Sequence, residues 1–98
     1  MGISIVVQNQ IHDQVDIYYE RVAPTLSKMA LAAPSGTMLG EIHAYADTMF
    51  NSFQLNLFLV ELATMTPQDE HEKEVVDTLQ RAAEDAIRHN GYLWFSGD

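Results

Sequence analysis

TMLGEIHAYADTMFNSFQLNLFLVELATM, residues 37–65, carries more apolar surface than one surface helix needs. Between Phe53 and Ala63 the polar residues are Gln54, Asn56 and Glu61. On a wheel of about 100° per residue, His43, Asp47, Asn51, Gln54 and Glu61 gather on one narrow face. The apolar residues from Met38 to Ala63 fill an arc of roughly 240°, against the ~100° stripe of an ordinary amphipathic helix. The stretch therefore predicts a long central helix over 37–65 that needs neighbours on more than two sides. Thr37 is its expected N-cap, and Glu41 suits the positive end of its dipole. Its hydrophobic run is too short and too interrupted to span a membrane.

Ser52 and Asn56, four residues apart, fall near the middle of the apolar arc. A polar residue in such a seam costs stability and can fix register or oligomeric state. Asn56 is therefore expected either to bond a backbone carbonyl or water in the core, or to pair across a symmetric dimer interface. With Phe53, Leu57, Leu59 and Val60, these two residues form the candidate partner or dimer interface.

Upstream, residues 1–9 read as an N-terminal arm. Ile3 to Val7 is strand, extended arm or first helical turn, and the pattern leaves all three open. No signal peptide is expected from so short an apolar patch without a preceding basic residue. From Ile11, the apolar residues Val15, Tyr18, Val22, Leu26, Met29 and Ala33 recur every three or four positions. That spacing predicts a first helix over 10–33, bent or broken at Pro24, whose ring clashes with the carbonyl four residues back. Ala33-Pro34-Ser35-Gly36 ends it in a turn.

Downstream, Thr66-Pro67-Gln68-Asp69 reads as N-cap, first helical residue and capping-box acid. It opens a third helix over 67–90. The apolar stripe of that helix is Val75, Val76, Leu79, Ala82, Ala83, Ala86 and Ile87, and Asn90-Gly91 stops it. Asp77–Arg81 and Glu84–Arg88 have the spacing of helical ion pairs. Glu70, Glu72, Glu74 and Asp77 form a charge run, read as a solvated face or as an acidic docking face for a basic partner. The tail at 91–98 holds Tyr92-Leu93-Trp94-Phe95, too apolar to leave in water. It is expected to cap the bundle, or to anchor a partner through Tyr92, Trp94 and Phe95.

Ninety-eight residues with 47% hydrophobic side chains suit one packed domain. Fourteen acids against five Lys and Arg give a net charge of −9. That balance disfavours direct contact with nucleic acid or anionic membrane. It fits solubility, a basic protein partner, or mimicry of nucleic-acid phosphates. The absence of cysteine removes disulfides, thiolate metal sites and a Cys nucleophile, and it agrees with a cytoplasmic setting.

His12–Asp16, His43–Asp47 and Asp85–His89 each have helical spacing, but a metal site needs three or four convergent ligands. Neither the Glu-x-x-His of di-iron bundles nor H-E-x-x-H is present. A Gly-rich phosphate loop and a nucleophile elbow are absent too. No catalytic residue, metal or cofactor is expected.

In size, charge and helicity the chain resembles the small acidic helical proteins that bacteria and their phages use as inhibitors or secretion chaperones. No motif carries that likeness. The sequence thus predicts an all-α, antiparallel three-helix bundle that dimerises. Its expected function is non-enzymatic: a homodimeric modulator or inhibitor of a bacterial protein, acting by occlusion. The alternatives are an acidic nucleic-acid mimic that blocks a DNA- or RNA-binding enzyme, and a secretion chaperone. A helical metalloenzyme is the remaining option.

Overall fold

The computed structural model describes residues 3–18, 22–43 and 45–97. It overturns the all-α bundle. The chain is α+β, with four antiparallel strands on one side and three helices on the other. In chain order the elements are β1 (Ser4–Gln8), β2 (Gln14–Tyr18), α1 (Ala23–Ala32), β3 (Thr48–Phe50), α2 (Ser52–Thr64), α3 (Glu70–Arg88) and β4 (Tyr92–Ser96). Strand order across the sheet is β2-β1-β4-β3.

The first half of the predicted helix at 10–33 is a hairpin. Asn9 closes it, its side chain accepting from the Ile11 and Asp13 N–H groups at 3.0 Å each. His12 takes the left-handed conformation, with φ of 66°. Beyond the turn, Val15 and Ile17 follow the two-residue period of a strand; reading Val15 with Tyr18 had suggested a helix. The open question over residues 3–7 resolves as strand β1. It is central and apolar on both faces: Ile5, Val6 and Val7 are all buried. Pro24 does not kink a helix. It stands in the first turn of α1, where its missing N–H is no loss.

The predicted helix over 37–65 is also corrected. Its first half is a 3-10 turn (Leu39–Glu41), a loop and the short edge strand β3. Helix α2 starts at Ser52 because Asn51 and Gln54 form a reciprocal capping box. The Gln54 N–H donates to Asn51 Oδ1 and the Asn51 N–H to Gln54 Oε1, both at 2.9 Å. Thr37 caps locally instead, its Oγ1 accepting from the Gly40 N–H at 3.1 Å.

Helix α3 begins three residues later than its sequence signal suggested. Asp69, not Thr66, is the N-cap, and its carboxylate accepts from the Glu72 N–H at 2.9 Å. The apolar stripe is otherwise as read: Val75, Val76, Leu79, Ala82, Ala83 and Ala86 are buried, and Ile87 is half-buried. Helix α3 lies across β1 and β4, with α1 and α2 packed against it. Among the described residues, Lys73 pairs with Asp77 at 3.0 Å and Arg88 with Asp85 at 3.1 Å, not with the Glu84 of the expected pair.

The tail at 92–96 neither caps a bundle nor stands free, because it is the sheet strand β4. It lies between β1 and β3, with Val6 opposite Trp94 and Val7 opposite Leu93. Alternation sends Leu93 and Phe95 inward and Tyr92 and Trp94 to the outer face. Inward-facing rings of Phe50, Phe58 and Phe95 meet edge to face, with centroids 5.3 to 6.5 Å apart.

Glu61 ties α2 to the segment before β3. Its two carboxylate oxygens accept from the Met38 and Leu39 N–H groups, at 2.8 and 3.0 Å. These are the unpaired donors that open the 3-10 turn, so the acid caps it from another element. Glu61→Gln is expected to lower unfolding free energy by about 1–2 kcal/mol in urea titration, since hydrogen bonds to charged groups contribute ~1.5–3 kcal/mol. An unchanged urea midpoint would remove this role.

Candidate protein-interaction surface

The ionisable clusters come first, because they decide between chemistry and contact. Of the three His/Asp pairs, Asp85–His89 is made, with His89 Nδ1 at 3.4 Å from Asp85 Oδ1. The same buried carboxylate accepts from Arg88 at 3.1 Å and from the Tyr18 hydroxyl at 3.4 Å. Burial, then the negative charges of Asp85 and Asp16, push the Tyr18 hydroxyl above the usual tyrosine range. The group is a polar clamp between the end of α3 and the edge strand β2. Its members are already bonded to one another.

His12 lies in the hairpin turn and Asp16 on strand β2, so the pair has no helical spacing. His12 stacks on Tyr92 with centroids 4.2 Å apart, and its Nδ1 lies 3.0 Å from Gln8 Oε1. His43 and Asp47 lie in an exposed loop. No group of three potential metal ligands converges among the described residues. A groove of about 690 Å³ runs between α1 and residues 33–36, 40–43, 45 and 46. Its ionisable side chains are Lys28, Glu41, His43 and Tyr45, set among Leu31, Pro34 and Ile42.

The expected acidic face is partly self-engaged. Asp77 holds Lys73, and Glu72 Oε1 accepts from the Gln68 N–H at 3.0 Å. Glu70 is exposed at the first turn of α3, and Glu74 is half-buried.

The feature that stands out is the outer side of α2. Leu55, Phe58 and Leu62 point into the core. Phe53, Leu57 and Val60, on the opposite side, are 73%, 50% and 66% exposed. Ala63 and Thr64 extend this stripe, and Asn56 flanks it. The helix is apolar both inward and outward, which explains its wide apolar arc in the sequence. Three large hydrophobic side chains at helical spacing in water are unusual for an isolated subunit.

The expected interface residues divide among four places. Phe53, Asn56, Leu57 and Val60 share the outer side of α2. Asn56 is exposed, and its side-chain amide donates to the Ser52 carbonyl at 3.0 Å, so it is not a core polar residue. Ser52 opens the helix, its hydroxyl donating to the Gly91 carbonyl at 3.4 Å. Leu59 packs against the core, and Phe95 is fully enclosed. Tyr92 and Trp94 lie on the outer face of the sheet.

There the register sets Ile17, Val6, Trp94 and Met49 in one row across all four strands. Sequence reading missed this row, because it needs the pairing as well as the alternation. Among the described residues no helix is long and apolar enough to cross a membrane. No family model matches this chain, and no curated protein or solved structure shows significant similarity to it.

Proposed function

We propose that this chain is a non-enzymatic, cytoplasmic protein-interaction module that works as a homodimer and acts by covering a surface of a partner protein. The observation that carries the reading is the stripe of Phe53, Leu57 and Val60. It would remove several hundred Å² of apolar surface from water on docking, at roughly 25 cal/mol per Å². Such stripes lie at the centres of protein contacts. The acidic body around it supports solubility and orients a basic partner at long range.

Two features weigh against the nucleic-acid mimic. Glu61, Glu72, Asp77 and Asp85 all have local partners, so they do not form an open array of phosphate-like charge. The largest exposed side chains on α2 are hydrophobic.

The test is a benzophenone amino acid placed at Leu57 and photolysed in cells expressing the protein. A covalent protein adduct is expected, and it should vanish when Phe53 and Val60 are replaced by Glu. No adduct, or one indifferent to those two positions, would overturn the reading.

A further inference from the structure

We propose that the stripe on α2 is covered by the same stripe of a second copy, the two helices running antiparallel about a twofold axis between residues 58 and 59. The inference rests on reading the chain as an interaction module, and it assigns the stripe to the homodimer contact of that reading, so that the partner protein is met by the rest of the dimer surface.

Charge is the first argument. Helix α2 has one ionisable side chain, Glu61, whose carboxylate is turned away to the Met38 and Leu39 N–H groups. The stripe is therefore neutral on a chain of net charge −9. A basic partner finds no counter-charge there. A second copy brings an equally neutral stripe, and the α3 acids near it, Asp69, Glu70 and Asp77, border its Ala63 end beside Lys73 and not its centre at Leu57 and Val60. Like charges are then kept apart where repulsion would be strongest.

Shape is the second argument. A twofold axis brings residue i of one helix against residue j of the other, and the same pair recurs in reverse. With the axis between 58 and 59, Leu57 meets Val60 twice at the centre. Phe53, the largest side chain of the stripe, meets Ala63 and Thr64, the two smallest. Large faces small at both ends, which is the self-complementarity an isologous contact needs. A parallel pairing would set Phe53 against Phe53 and leave the two alanines facing a gap.

Area is the third. Phe53, Leu57 and Val60 at their observed exposures, with Asn56, Ala63 and Thr64, offer about 500 Å² per copy. Two copies reach the ~1,000 Å² at which a specific contact becomes credible. The pair is expected to be a moderate dimer.

The test uses two complementary variants of the full chain, Leu57→Asp and Val60→Lys, in sedimentation velocity. Both sites are at least half exposed, so circular dichroism should match wild type. Wild type is expected to dimerise. Each variant alone should raise the dimer dissociation constant about thirtyfold or more. An equimolar mixture of the two should recover a heterodimer. In it the carboxylate introduced at position 57 meets the ammonium introduced at position 60, while the second pair stays Leu57 and Val60. A wild type that remains monomeric at about 1 mM, or a mixture that gains nothing, overturns the proposal. If that monomer still gives a stripe-dependent adduct at position 57 in cells, the interaction module survives and its partner is a different protein.

Discussion

Gly91→Ala is expected to destabilise the chain by at least about 3 kcal/mol, a large part of the 5–15 kcal/mol that holds a domain of this size together. The reason is close approach, not backbone freedom. A Cβ at position 91 would lie 2.7 Å from the Gln8 carbonyl carbon and 2.8 Å from Asn9 Cα, and closer still to the Gln8 oxygen. All three are main-chain atoms at the end of the central strand β1, so no side chain can swing aside.

The left-handed residue at this helix end is Asn90, with φ of 52°. It lets the Gly91 N–H donate back to the Ala86 carbonyl at 3.0 Å and the Asn90 N–H to Ile87 at 2.9 Å. The two residues thus divide the work: Asn90 turns the chain, and Gly91 lets it pass against β1. Urea unfolding followed by Trp94 fluorescence measures the loss. A change under about 1 kcal/mol would mean that β1 and the entry to β4 are not in contact there.

Phe58→Ala should have an effect of similar size, about 3–5 kcal/mol. Phe58 is fully buried on the inner side of α2, with its ring against Phe50 and Phe95. Truncation would open a cavity where α2, β3 and β4 meet, and would remove two edge-to-face contacts of ~0.5–1.5 kcal/mol each. The cooperativity of unfolding should persist with a lower midpoint. A loss below about 1 kcal/mol would place the wrong side of α2 inward, and the exposed stripe would lose its basis.

The sequence disclosed the helical half of the core better than the sheet. The stripe of α3 and its stop at Asn90-Gly91 were legible because nineteen residues give five turns over which a 3.6 period repeats. Strands of three to five residues offer no such repetition. Ile11, Val15, Tyr18 and Val22 fell on helical spacing by coincidence, and Ile17, off that spacing, was the residue that told against it. Leu93 and Phe95 alternate with Tyr92 and Trp94 in the plain period of a strand, yet four adjacent apolar residues read as a patch. Asn51 and Gln54 fall on the polar face of a wheel drawn through 37–65, although N-S-F-Q is a capping-box signal that marks where α2 begins. On the candidate surface, the surplus of α2 was visible as an arc too wide for one core. Which residues formed the surplus was not, because wheel geometry cannot tell inward from outward until a sheet is in place.

The pairing of β1 with β4 at the middle of the sheet has a consequence for synthesis. Ser4 and Ser96 are partners, so the first strand made waits for the last. At roughly 5–20 residues per second on the ribosome, Ile5, Val6 and Val7 spend about 5–20 s without the neighbour that shields them. Until β4 emerges from the exit tunnel, β1 can form a hairpin with β2 and little more. Until then the nascent chain is a natural client for holding chaperones.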